Sequence, residues 1–126
     1  MIVLDTSVLV DALTGPKRSA TALRKAIERA ERLAVTALVL YEWLRGPRLP
    51  EEIAAQQALL PDESALPFGP VEAALAARLY RSLRRPRGRE LDLAIAACAL
   101  LREARLWTLN LDDFGDIPGL QASRPG

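Results

Sequence analysis

Histidine is absent from this chain of 126 residues. Its absence excludes ribonuclease chemistry built on imidazole acids and bases, Ser-His-Asp triads, and zinc sites that need imidazole. Any catalysis must therefore run on carboxylates and metal ions. Cysteine is nearly missing too. Cys98 stands alone within the apolar stretch 93–101, which rules out a disulfide framework and predicts a small core residue in a reducing, intracellular compartment. No uncharged apolar run approaches the ~20 residues of a membrane-spanning helix. The first residues also lack the basic start and cleavage site of a signal peptide, so a soluble, cytoplasmic protein is expected. Aromatics make up only 5%. Trp43, Trp107, Tyr41 and Phe114 could stack bases, but their apolar settings predict core packing.

What is present fits one domain over residues 1–126, because half the residues are apolar and 26% are charged. The net charge is only +1, which argues against a uniformly basic nucleic-acid coat. Lys17 and Lys25 are the only lysines among 17 basic residues, leaving 15 arginines, side chains suited to forked contacts with phosphate or carboxylate.

Residues 2–4 read as a short buried strand that runs directly into Asp5, Thr6 and Ser7. A helix over 7–13 stops at Gly15-Pro16, and an amphipathic helix spans 17–33. A second strand is predicted over 33–36, then a helix over Ala37–Arg45 that carries Glu42 and stops at Gly46-Pro47. Pro50-Glu51-Glu52 opens a helix over 50–60, since proline and acids suit a first turn. Residues 65–68 suggest an edge strand and 70–83 a helix; 84–89, with four arginines, is a loop. An apolar helix over 91–104 has Asp92 in its first turn, a strand follows over 105–108, and 110–119 is turn-rich before a short strand over 120–122. Strands separated by helices predict a three-layer α/β/α sandwich with a mostly parallel central sheet.

Four acids recur at comparable places: Asp5 and Asp113 after strands, Glu42 and Asp92 on helices with apolar neighbours. Parallel strands bring their carboxyl ends to one edge, so Asp5 and the loop of Asp113 can meet there by topology alone. Singly, each acid is better explained as structural than as catalytic, Asp92 as a cap or dipole partner of its helix. Together, clustered carboxylates repel unless divalent cations neutralise them, and their hard oxygens select Mg²⁺ or Mn²⁺. Such ions would acidify water and clamp a scissile phosphate. The implied reaction is phosphodiester hydrolysis that needs no 2′-hydroxyl and leaves 5′-phosphate and 3′-hydroxyl ends.

Four ordered blocks give this reading a family. They are residues 4–9, Val35-Thr36-Ala37 leading to Glu42 and Gly46, residues 88–97, and residues 108–120. In this order they resemble the PIN-domain nucleases, in particular the VapC-type toxins of bacterial and archaeal toxin-antitoxin pairs. The resemblance implies a PIN-like fold and an RNA substrate. It also implies an acidic Mg²⁺ site, with Mn²⁺ as a substitute, formed by Asp5, Glu42, Asp92 and Asp113. Asn110 and Asp112 compete for the fourth position. Thr6, Ser7, Thr108 and Asn110 match polar positions that orient carboxylates, although Thr6 and Ser7 also suit helix capping. The family further implies a small cognate antitoxin and a homodimer. Arg84, Arg85, Arg87 and Arg89 precede Asp92 and could hold RNA phosphates beside the acids, the alternative being a solvated basic loop.

Two rival classes fit some of these residues. A phosphatase of the haloacid dehalogenase kind also begins with an aspartate after its first strand, but it needs a second aspartate two residues on, where this chain has Ser7. A PIN-like binding module without catalysis would keep the fold and lose acids, whereas all four are present here.

Overall fold

Ile2, Val3 and Leu4, all with no solvent exposure, form β1 (Ile2–Leu4). An uninterrupted apolar triplet suits a parallel strand covered on both faces. In the computed structural model, which describes residues 1–126, β1 pairs with β2 (Leu33–Ala34) on one side and with β3 (Arg105–Trp107) on the other. The short β4 (Ala122–Ser123) extends the sheet beyond β3, giving the order β2-β1-β3-β4. Every pairing is parallel. The mostly parallel sandwich expected from the sequence is thus parallel throughout.

Six helices complete the α/β/α layers: α1 (Thr6–Leu13), α2 (Ala20–Glu28), α3 (Ala37–Arg45), α4 (Pro50–Leu59), α5 (Pro70–Ser82) and α6 (Glu90–Leu101). None is long and apolar enough to cross a membrane. The most deeply buried is α6, in which every residue from Leu93 to Ala99 is buried. Leu93 and Ile95 each stabilise the fold by about 1.5–3 kcal/mol through that burial. Only the first turn of α6 is polar, and there Asp92 emerges.

The boundaries differ from the sequence reading where the backbone turns left-handed. The helix expected over 17–33 is confined to Ala20–Glu28, because Lys17 (φ 56°) and Ala30 (φ 63°) lie outside helical space. The helix expected over 91–104 begins at Glu90 and ends at Leu101, with Glu103 at φ 52°. Both close with a six-residue hydrogen bond, Glu31 N–H to Ala26 O at 3.0 Å and Ala104 N–H to Ala99 O at 3.0 Å. This closure usually recruits glycine, and its absence hid both ends.

The edge strand expected over 65–68 is reduced to one bridge, Leu66 with Thr36, because the partner segment turns into α3 at Ala37 and offers no further extended backbone to pair with. The final strand falls at Ala122–Ser123 rather than 120–122. Trp43, Trp107 and Phe114 are core residues as expected, but Tyr41 is 56% exposed and stacks under the Arg45 guanidinium at 5.2 Å. Tyr41 lies on the outer face of α3, two positions from the buried Trp43.

Candidate active site

Strand β1 stops at Leu4, and Asp5 keeps an extended backbone (φ −71°, ψ 157°) as it caps α1. Its N–H still donates to Trp107 O at 2.9 Å, which fixes it beside the end of β3. The side chain is buried, with 5% exposure, and accepts three hydrogen bonds. Thr6 N–H donates to Oδ1 at 2.8 Å, while Ser7 Oγ (3.0 Å) and Thr108 Oγ1 (2.8 Å) donate to Oδ2. Those two hydroxyls in turn accept from Leu109 N–H and Asn110 N–H, each at 3.0 Å. The start of α1 and the exit of β3 are therefore joined through one carboxylate.

Thr6 and Ser7 are the first residues of α1, and Asp5 is its cap, so neither hydroxyl caps the helix. Thr6 Oγ1 instead donates to Glu42 Oε1 at 2.6 Å. Glu42 is placed by α3, whose own start is capped by Thr36 Oγ1 accepting from Val39 N–H at 3.1 Å. Its second oxygen lies 3.6 Å from Arg45 Nη2. Asp92 occupies the first turn of α6, and Asp113 ends a single 3-10 turn, Leu111–Asp113.

Electrostatics link all four acids. The Asp92 carboxyl is pushed up to about 6, first by burial and then by the charges of Asp5, Asp113 and Glu42, while Arg89 partly opposes them. The charge of Asp113, in the turn after β3, is among those that raise Asp92. No three of these carboxylates stand at joint ligating distance. Repulsion between like charges favours that separation. Asp92 receives no protein hydrogen bond on its carboxylate, and Asp113 is held through its backbone carbonyl, so neither carboxylate is tied to a protein donor. The donor set is all oxygen, and its excess negative charge is what a hard divalent cation would neutralise. The residues fit such an ion.

The arginines divide. Arg84, Arg85 and Arg87 are exposed on the loop between α5 and α6. Arg84 and Arg85 line a cleft of about 430 Å³ with Arg89, Asp112 and Asp116, against the loop that carries Asp113. Arg89 is committed elsewhere, paired with Asp116 at 2.5 Å and 3.0 Å. Sequence reasoning missed Asp116. Its partner lies 27 positions earlier, and only the docking of the 111–116 loop on α6 brings them together.

The family model for the PIN domain matches residues 2–120. The chain belongs to the PIN domain family. This PIN domain is 35% identical to "Ribonuclease VapC19" of Mycobacterium tuberculosis, over 96% of this chain and 98% of that protein. Two solved structures share its fold. The DNA-bound VapBC of Salmonella typhimurium matches with a TM-score of 0.81 at 19% identity, covering 99% of this chain and 98% of that one. VapBC2 of Rickettsia felis, bound to a promoter DNA fragment, matches with a TM-score of 0.77 at 22% identity, covering 98% of each chain. The four blocks quoted from the sequence fall on the elements that form the site: β1 with α1, β2 with α3, α6, and β3 with the following turn.

Proposed function

We propose that this PIN domain is a divalent-metal-dependent endoribonuclease, with Mg²⁺ as its working ion and Mn²⁺ able to replace it. One observation carries the reading: in a histidine-free chain, burial and then the charges of Asp5, Asp113 and Glu42, from three other elements, raise Asp92 to about 6, so four carboxylates face one region. The 35% identity to a protein named as a ribonuclease supports the same activity. Asp5, Glu42, Asp92 and Asp113 would hold the ion. Bound there, it supplies positive charge against the scissile phosphate and acidifies water. Thr6 fixes Glu42; Ser7 and Thr108 fix Asp5, so two of the four acids are oriented before any ion enters. The exposed Arg84, Arg85 and Arg87 are the groups that would hold RNA phosphates the carboxylates otherwise repel.

Purified protein is expected to cut RNA in Mg²⁺ and to stop in EDTA, with no hydrolysis of small phosphomonoesters such as p-nitrophenyl phosphate. Hydrolysis of the monoester would point to a phosphatase; RNA retention without turnover would point to a binding module. Replacing Arg84 and Arg85 by alanine should weaken RNA binding uniformly across sequences. The slope of log affinity against log salt should fall by about 0.7 per arginine lost. An unchanged slope would make the loop a merely solvated one.

The biological role we propose is the toxin of a VapBC-type pair in the cytoplasm, acting as a homodimer and restrained by a small antitoxin. Support comes from relatives solved as VapBC complexes. An apolar groove of about 450 Å³, lined by Leu38, Phe68, Ala76, Tyr80, Leu91 and Leu93, provides surface that a protein partner could cover.

A further inference from the structure

Arg89 sits at the entrance to α6, three residues before Asp92, in the N-cap position (φ −113°, ψ 17°). Its guanidinium makes four hydrogen bonds. Nη1 donates to Arg85 O at 3.1 Å and to Asp116 Oδ2 at 3.0 Å; Nη2 donates to Asp116 Oδ1 at 2.5 Å and to Asp113 O at 2.8 Å. The remaining donor, Nε, is buried and has no partner. The Arg89 side chain is only 16% exposed, unlike the arginines beside it. A guanidinium has five N–H donors; here four are bonded within the protein and the fifth is buried, so none is free to donate to an RNA phosphate.

The segments held together are the ones that carry two of the acids. Arg89 leads into the turn bearing Asp92, and it grips the 3-10 turn of Asp113 twice, at the Asp113 carbonyl and at Asp116 just beyond. That turn has little else to fix it: its own bonds are Asp113 N–H to Asn110 O and Phe114 N–H to Leu111 O, each at 3.0 Å, with Phe114 as its buried anchor. A forked arginine-carboxylate pair adds geometric definition that a single contact lacks.

We infer that Arg89 is a positioning residue, clamped by Asp116, that sets the distance between Asp92 and Asp113 and does not bind RNA. This rests on the ribonuclease reading for its consequence, though not for the clamp itself. Asp116 is 48% exposed, so Asp116→Asn removes the fork's charge without opening a cavity. It serves as the folded control should Arg89→Gln fail to fold.

Both variants are expected to speed hydrogen exchange at the Asp113 and Phe114 amides about tenfold and to lower kcat about tenfold, the usual loss for an outer-shell partner. KM and the RNA Kd in EDTA should stay within about twofold, and Arg89→Lys should recover only part of kcat because it cannot fork. The RNA-contact alternative makes the opposite forecast. Asp116→Asn would then release a cation and tighten RNA binding, and that result would overturn the inference. Unchanged exchange at Asp113 and Phe114 would overturn it as well. If the wild-type protein cuts no RNA at all, the ribonuclease reading fails, while the exchange rates still decide whether the clamp exists.

Discussion

Asp92→Asn is expected to abolish RNA cleavage while making the metal-free protein more stable. The two effects share one cause. In the folded chain Asp92 titrates at about 6, against an ordinary value of 3.8, because burial and the neighbouring acids disfavour its charge. A carboxyl raised in this way contributes stability that is complete below about 3.8 and is lost as pH rises through about 6. At neutral pH the wild-type protein therefore carries an ionised Asp92 at a cost that asparagine does not incur. The shift corresponds to roughly 3 kcal/mol at full value. Solvent screens this half-buried group, and a gain of about 1 kcal/mol, or roughly 3–5 °C in Tm, is the expectation at pH 7.5 in EDTA. The advantage should vanish near pH 4, where Asp92 in the wild type is largely protonated. Activity should fall by at least about 100-fold. Calorimetry in EDTA at both pH values checks the sign. A variant less stable than wild type at pH 7.5 would make Asp92 a structural cap.

The isosteric change at Asp5 should move stability the other way with the same loss of activity. Asp5 accepts from Thr6 N–H, Ser7 Oγ and Thr108 Oγ1, so every contact of its carboxylate comes from a donor. Asparagine offers one acceptor oxygen and turns an NH₂ group toward the remaining hydroxyls. Ser7 Oγ and Thr108 Oγ1 already accept from Leu109 N–H and Asn110 N–H, and their own protons would lose the partner they have now. A buried donor without a partner costs about 1–3 kcal/mol. Asp5→Asn is thus expected to lower stability by about 1–2 kcal/mol in EDTA. Urea midpoints for the two variants, measured side by side, should straddle the wild type. Shifts of the same sign in both would contradict the distinct environments assigned to the two acids.

This contrast marks how far the sequence could be read. The triplet Ile2-Val3-Leu4 announced a buried parallel strand, and Asp5 at its end followed as a residue of the sheet's carboxyl edge. The ordered blocks marked Thr108 as a polar position that orients carboxylates, and the register of Leu4 with Trp107 brings it to Asp5. In sequence Asp5 was an acid at a strand end and Asp92 an acid in the first turn of an apolar helix, with nothing to say which partners either would meet. Their difference lies in what faces them: three donors around Asp5, three like charges around Asp92. Such partners come from elements distant in the chain, and no local pattern reports them. For the same reason the arginine loop read as uniform, whereas Arg89 is tied to Asp116. The helix ends at Ala30 and Glu103 were illegible because non-glycine residues fill the left-handed positions.

The chemistry of the cut ends tests the central account most directly. In a histidine-free chain whose proposed centre is built from four acids, attack is assigned to water and not to the substrate's 2′-hydroxyl. End analysis of RNA cut by the wild-type protein in Mg²⁺ should show 5′-phosphate and 3′-hydroxyl termini, with no products in EDTA. Cuts that persist in EDTA, or that leave 2′,3′-cyclic phosphates, would contradict a metal-dependent carboxylate centre.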